Sequence, residues 1–160
     1  MITKTEELQR AWHLYESEHK HIPSSAREAV AWAVNKGILA LPEIDPLDVL
    51  AGNMARALRE EYRTDDKGRH YRLNHAVRVT KGGVQYTFWA IMGYAPYEHM
   101  QQAFIQRREQ IVGDCMQLKT DVDVFNDLNK DNLPIQLLLN FTEDVAEREQ
   151  ILILGLEKTA

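Results

Sequence analysis

Apolar residues recur at helical spacing over the first third of the chain, alternate with polar ones in the middle, and return to helical spacing beyond it. Leu8, Ala11, Trp12, Tyr15 and His19 define a first helix. Thr3, with Glu6 three residues on, forms a capping box at its start, and Ile22-Pro23 ends it. Ser25 and Glu28 repeat the box for a second helix, striped by Ala26, Ala29, Val30, Ala33 and Val34, with Gly37 as its stop. Residues 38–41 read as a short strand or a buried connector. Asp45 caps a third helix, with Pro46 in its first position. Leu47, Leu50, Met54, Ala57 and Leu58 are expected inward on it, and Asn53, Arg56, Arg59 and Arg63 outward.

After the turn-like residues 65–68 the period becomes two. Tyr71, Leu73, His75, Val77 and Val79 share one strand face; Val84, Tyr86, Phe88, Ala90 and Met92 share another. Gly82-Gly83 between them suits a two-residue hairpin turn. That turn sets Val79 opposite Tyr86 and Val77 opposite Phe88, so the two apolar faces coincide. Trp89 falls on the other face, which suggests a hairpin covered on both sides.

Pro96 then opens a long helix predicted to reach about Lys130. Phe104, Ile111, Leu118 and Phe125 are spaced by seven, with Cys115 and Val122 between them, a pattern suited to packing along another helix. Gln101, Arg108 and Asn129 interrupt that seam. A last amphipathic helix is predicted over residues 134–149, with Ile135, Leu138, Leu139, Thr142 and Val145 inward. The apolar run 151–156 is expected to pack, as an edge strand or against a partner. The predicted fold class is α+β and mainly helical. A winged-helix-like domain of three helices and a β-hairpin spans 1–93, and a helical dimerisation or packing region spans 94–160.

Composition sets the class. Hydrophobic residues form 44% of the 160, enough for a core. The single Cys115 excludes an intrachain disulfide framework, no apolar run approaches the roughly 20 residues of a membrane span, and the N-terminus lacks a signal-peptide pattern. A cytoplasmic protein with no membrane partner is expected. The net charge of −5 hides an asymmetry: residues 54–81 carry 8 basic and 4 acidic side chains, whereas 82–160 carry 6 and 12.

That basic segment coincides with the third helix and the hairpin. In a winged helix-turn-helix the last helix enters the major groove and the wing touches the backbone. Double-stranded DNA is therefore the expected partner. Asn53, Arg56 and Arg59 would contact bases or backbone, and Arg63, Arg69, Arg78 and Lys81 phosphates. The alternatives are solvated arginines paired in part with Glu60, Glu61 and Asp65, or a protein-interaction module that assembles, as a homodimer, through the long helix. Other chemistry finds no support. The histidines, His13, His19, His21, His70, His75 and His99, lack a ligand spacing, so no metal is expected. Cys115 sits on an apolar stripe. No phosphate-loop or dinucleotide fingerprint occurs, so neither a cofactor nor catalysis is expected. Asp114, Asp121, Asp123 and Asp127 read as a solvated helix face.

Two stretches, DPLDVLAGNMARALREEYRTDDKGRHYRLNHAVRV at 45–79 and QRREQIVGDCMQLKTDVDVFN at 106–126, resemble an uncharacterised family of bacterial proteins and are similar in style to phage or mobile-element accessory proteins. The resemblance implies a bacterial origin and carries no catalytic residues. The likeness to winged-helix regulators is one of architecture alone.

Overall fold

The computed structural model describes residues 1–159, with side chains to Gly155. It is α+β and mainly helical. Its order is three helices, the hairpin, a long helix and a C-terminal helix, as predicted. The chain divides into two compact units, one ending at Gly52 and one beginning at Asn53.

In the first unit, α1 (Lys4–Glu18) and α2 (Ala26–Asn35) both start on the predicted capping boxes. The Glu6 N–H donates to the Thr3 hydroxyl at 3.2 Å, and the Thr3 N–H to the Glu6 carboxylate at 2.7 Å. Ser25 and Glu28 exchange the same two bonds. Each box satisfies orphan donors of the first turn. The small side chains of Ala11 and Ala33 are buried with Leu39, and Trp32, Val34 and Ile38 pack round them. Residues 38–41 are thus a connector and not a strand, buried at Leu39 but exposed at Ala40 and Leu41. Tyr15 stacks on His19 at 4.0 Å and meets Trp32 edge-on at 5.6 Å. The Trp32 indole N–H donates to Glu18 at 3.1 Å.

Helix α3 (Pro46–Glu60) begins on Asp45, whose carboxylate accepts the Leu47 N–H at 3.0 Å. The division between the units falls within it. None of its residues is buried, and Leu47, Leu50 and Met54 are exposed, against the inward face expected. Shielding falls instead at Ala55 and Leu58, toward the end of the helix that is tied to the following strands. There the Asn74 amide donates to the Leu58 carbonyl at 3.2 Å and to Glu61 at 2.9 Å, satisfying one of the orphan carbonyls at the helix terminus.

The second unit adds a small ribbon that the periodicity did not predict. Strands β1 (Tyr62–Thr64) and β2 (His70–Arg72) pair antiparallel. Asp65 shapes the turn between them, accepting the Arg69 N–H at 2.8 Å and its guanidinium at 2.7 Å. The main hairpin is β3 (Asn74–Lys81) and β4 (Val84–Ile91), in the expected register with Val79 opposite Tyr86 and Val77 opposite Phe88. Gly82 and Gly83 turn it at φ +57° and +78°, values a side chain would resist. The alternation beginning at Tyr71 is broken at Leu73, which is held by Glu61 on one side and Met92 on the other.

Helix α4 (Tyr97–Leu128) follows Pro96 as predicted. His99, Ala103 and Gln106 share its face toward β3. His99 donates to the His75 carbonyl at 2.8 Å, and Ala103 is 0% exposed. The Gln106 amide both donates to and accepts from the Arg78 backbone, at 2.9 and 2.8 Å. One side chain thus stands in for a neighbouring strand at the β3 edge. The helix predicted over 134–149 is corrected: residues 133–141 are not helical, and α5 is Thr142–Thr159. Asn126 of α4 holds Ile135 in the same two-way manner, at 2.9 Å in each direction, which keeps this stretch out of a helix. The helical start comes later, where Asn140 accepts the Thr142 N–H at 3.2 Å and Glu143 and Asp144 supply the acidic first turn. The run 151–156 is therefore helical and not an edge strand. Ile151, Leu152, Ile153 and Leu154 are exposed, and the Leu156 side chain lies outside the described residues. Among the described residues no helix is long and apolar enough to cross a membrane.

Candidate functional site

The hairpin has two unlike faces. His75, Val77, Val79, Tyr86 and Phe88 lie on one, and Asn74, Ala76, Arg78, Thr87 and Trp89 on the other. The second face floors a cleft of about 150 Å³. Arg59 of α3, Arg72 of β2, Arg78 of β3 and Arg107 of α4 all line it, and among the described residues no acidic side chain does. Buried Asn74 and His75 line it alongside the exposed arginines.

Two of the four guanidinium groups are restrained by neighbouring rings, and a third arginine by its backbone. The Arg59 guanidinium lies over the Trp89 ring, 5.4 Å from its centroid, a cation–π contact that restrains it. Arg72 donates from Nε to the Tyr62 hydroxyl at 3.2 Å, and Tyr62 stacks on His70 at 4.7 Å. Arg78 has its backbone held by Gln106, next to Arg107 in sequence. Among the described residues none of the four makes an ion pair. The Glu61 carboxylate is bound to Asn74 in the cleft wall at 2.9 Å and pairs with Arg63, outside the cleft.

His75 reports the same field. Its Nε2–H donates to the Arg72 carbonyl at 2.8 Å, and the ring meets Phe104 edge-on at 5.3 Å. Burial, foremost, and the nearby charges of Arg107 and Arg72 hold its pKa below the usual 6.5, outweighing the bond to the Arg72 carbonyl. A neutral imidazole thus sits beside a cationic cleft.

The residues singled out from sequence divide. Arg59 and Arg78 line the cleft. Asn53 and Arg56 are exposed on α3, and Lys81 is exposed at the hairpin tip. Arg63 pairs with Glu61 at 3.5 Å, and Arg69 with Asp65 at 2.7 Å. The Asp65 carboxyl lies below its usual pKa and Arg69 above, each chiefly through their shared hydrogen bond. Two of the seven candidates therefore already have carboxylate partners. Arg72 and Arg107 were missed as site residues. Arg72 belonged to the basic segment, but Arg107 lies on a helix whose sequence reads as an assembly seam, and only tertiary packing brings it to the hairpin. On that face the sequence signals Arg78 as a phosphate contact and Trp89 as a sign that the face is covered.

Among the described residues no three His, Cys, Asp or Glu side chains converge as metal ligands do. Comparison with protein-family models, curated proteins and solved structures finds no match to this chain.

Proposed function

We propose that the protein binds double-stranded DNA through α3, the hairpin and the cleft beside them, in the manner of a regulator. The observation that supports this most is the convergence of Arg59, Arg72, Arg78 and Arg107 with no carboxylate among them. Guanidinium forks match phosphate oxygens in pairs and stay charged at any physiological pH. In this reading the cleft grips phosphate, while Arg63, Arg69 and Lys81 meet neighbouring phosphates at weaker, partly compensated positions. Asn53 and Arg56 are free on α3 to reach base edges, where amides suit adenine and guanidinium groups guanine.

The test is fluorescence anisotropy with a short duplex at two salt concentrations. Four phosphate contacts predict a roughly hundredfold weakening between about 50 and 200 mM salt. The double variant Arg72→Glu with Arg107→Glu is expected to abolish saturable binding at the lower salt. Salt-independent binding, equal in variant and wild type, removes the idea.

A second reading has its own observation. Leu118 and Phe125 of the seven-residue seam on α4 are exposed, as are Leu133, Leu138, Ile151 and Leu152 after it. In this reading the chain assembles with a second copy through α4 and the residues after it. Leu118→Asp then converts a dimer into a monomer in light scattering, and a monomeric wild type counts against it.

A further inference from the structure

The cleft differs from the flanking arginines in convergence: its four arginines are themselves exposed, but they line one recess whose wall is partly buried. His75, 3% exposed, and Asn74, 6% exposed, form part of its wall. Its four arginines come from four separate elements and line one cleft of about 150 Å³. A surface that tracks an unbroken backbone needs cations spread along an outer edge, as Arg56 and Lys81 are. An internal phosphodiester carries a sugar on both sides and one negative charge. A terminal phosphate is attached on one side only, so it can enter a recess. It carries about two negative charges and three free acceptor oxygens near neutral pH. That charge and donor demand fits four unpaired guanidinium groups better than a diester does.

Resting on the nucleic-acid reading, the geometry points to a seat for a phosphate monoester in this cleft, held by Arg59, Arg72, Arg78 and Arg107 and supplied by the phosphorylated end of a DNA strand. Trp89 and Tyr62 hold Arg59 and Arg72 in advance, so fewer rotamers are lost when the anion enters. The same chemistry is present in a free nucleoside monophosphate, so the two sources need separate arms.

Binding is measured for one duplex with and without a 5′-phosphate. A nucleoside 5′-monophosphate and its parent nucleoside are added as competitors. The phosphorylated duplex is expected to bind at least about tenfold more tightly, the effect of one charge-assisted hydrogen-bonded contact. The monophosphate is expected to compete and the nucleoside not. Arg107→Gln is expected to erase the preference, and the two duplexes compared on wild type keep the test decisive if that variant misfolds. Equal, salt-dependent binding of both duplexes without competition overturns the seat and leaves the DNA reading standing. Competition-grade binding of the monophosphate with neither duplex bound overturns the strand-end source and the DNA reading together. A phosphoserine peptide binding more tightly than either duplex overturns the assignment to nucleic acid. No binding of any of these overturns both.

Discussion

From Tyr97 to about Gln110, α4 lies on the hairpin: His99, Ala103, Phe104 and Gln106 each touch β3 or are buried beside it. From Gly113 to Leu128 the same helix leaves Met116, Leu118, Val124, Phe125 and Leu128 exposed. The two halves carry the same seven-residue apolar spacing, and each uses one side-chain amide to hold one residue's backbone, Gln106 on Arg78 and Asn126 on Ile135. They differ in what stands behind the amide. The near half has a fully buried alanine and faces β3, whose His75 is buried; the far half has no buried residue at all. Apolar periodicity therefore marks where a helix can pack, and small residues at the crossing mark where it does.

The largest expected effect follows from Ala103, which is 0% exposed. Ala103→Leu has no room for its added carbons and is expected to cost about 1–3 kcal/mol, read from urea unfolding. The exposed Thr120→Leu on the far half is expected to change stability by less than about 0.5 kcal/mol. Equal costs at the two positions would erase the distinction between the halves.

The second effect is on pH dependence. His75 is the titratable group against which the near half packs, and its pKa is lowered in the folded chain from 6.5. Below that value the unfolded chain takes up a proton that the folded chain refuses. Stability contributed by the neutral ring is thus full above pH 6.5 and is lost as pH falls beneath it. The slope is bounded at about 1.4 kcal/mol per pH unit, one proton's worth. Urea midpoints at successive pH values from neutral downward check it, and His75→Gln is expected to flatten the curve. A wild-type curve as flat as that of the variant contradicts the buried, cation-flanked setting.

These contrasts also explain what could be read in advance. Both capping boxes, the Gly82-Gly83 register and the extent of α4 depend on neighbours within a few residues, and local chemistry decides such features. The arginine cleft does not. Arg59, Arg72, Arg78 and Arg107 lie on four elements, and periodicity says nothing of which surfaces meet. The misplaced last helix has the same origin. Residues 134–139 have helical spacing, but the Asn126 amide, supplied by another element, takes the Ile135 backbone instead.

The smallest expected effect is the sharpest comparison, because it removes the same group from both halves. Gln106→Leu frees the Arg78 N–H and carbonyl next to buried Val77 and one turn from buried Ala103, and is expected to cost about 1 kcal/mol globally. Asn126→Leu frees the corresponding groups of Ile135, beside exposed Leu137 and Leu138, where water can replace the amide. Its global cost is expected to be a few tenths of a kcal/mol, while amide exchange at Ile135 speeds up locally without matching global unfolding. The near clamp would then belong to the cooperative unit and the far clamp to a segment that opens by itself. Asn126→Leu shifting the urea midpoint as far as Gln106→Leu would show that residues 133–141 are integral to the folded unit, and the apolar surface they carry would have to be counted as part of its structure.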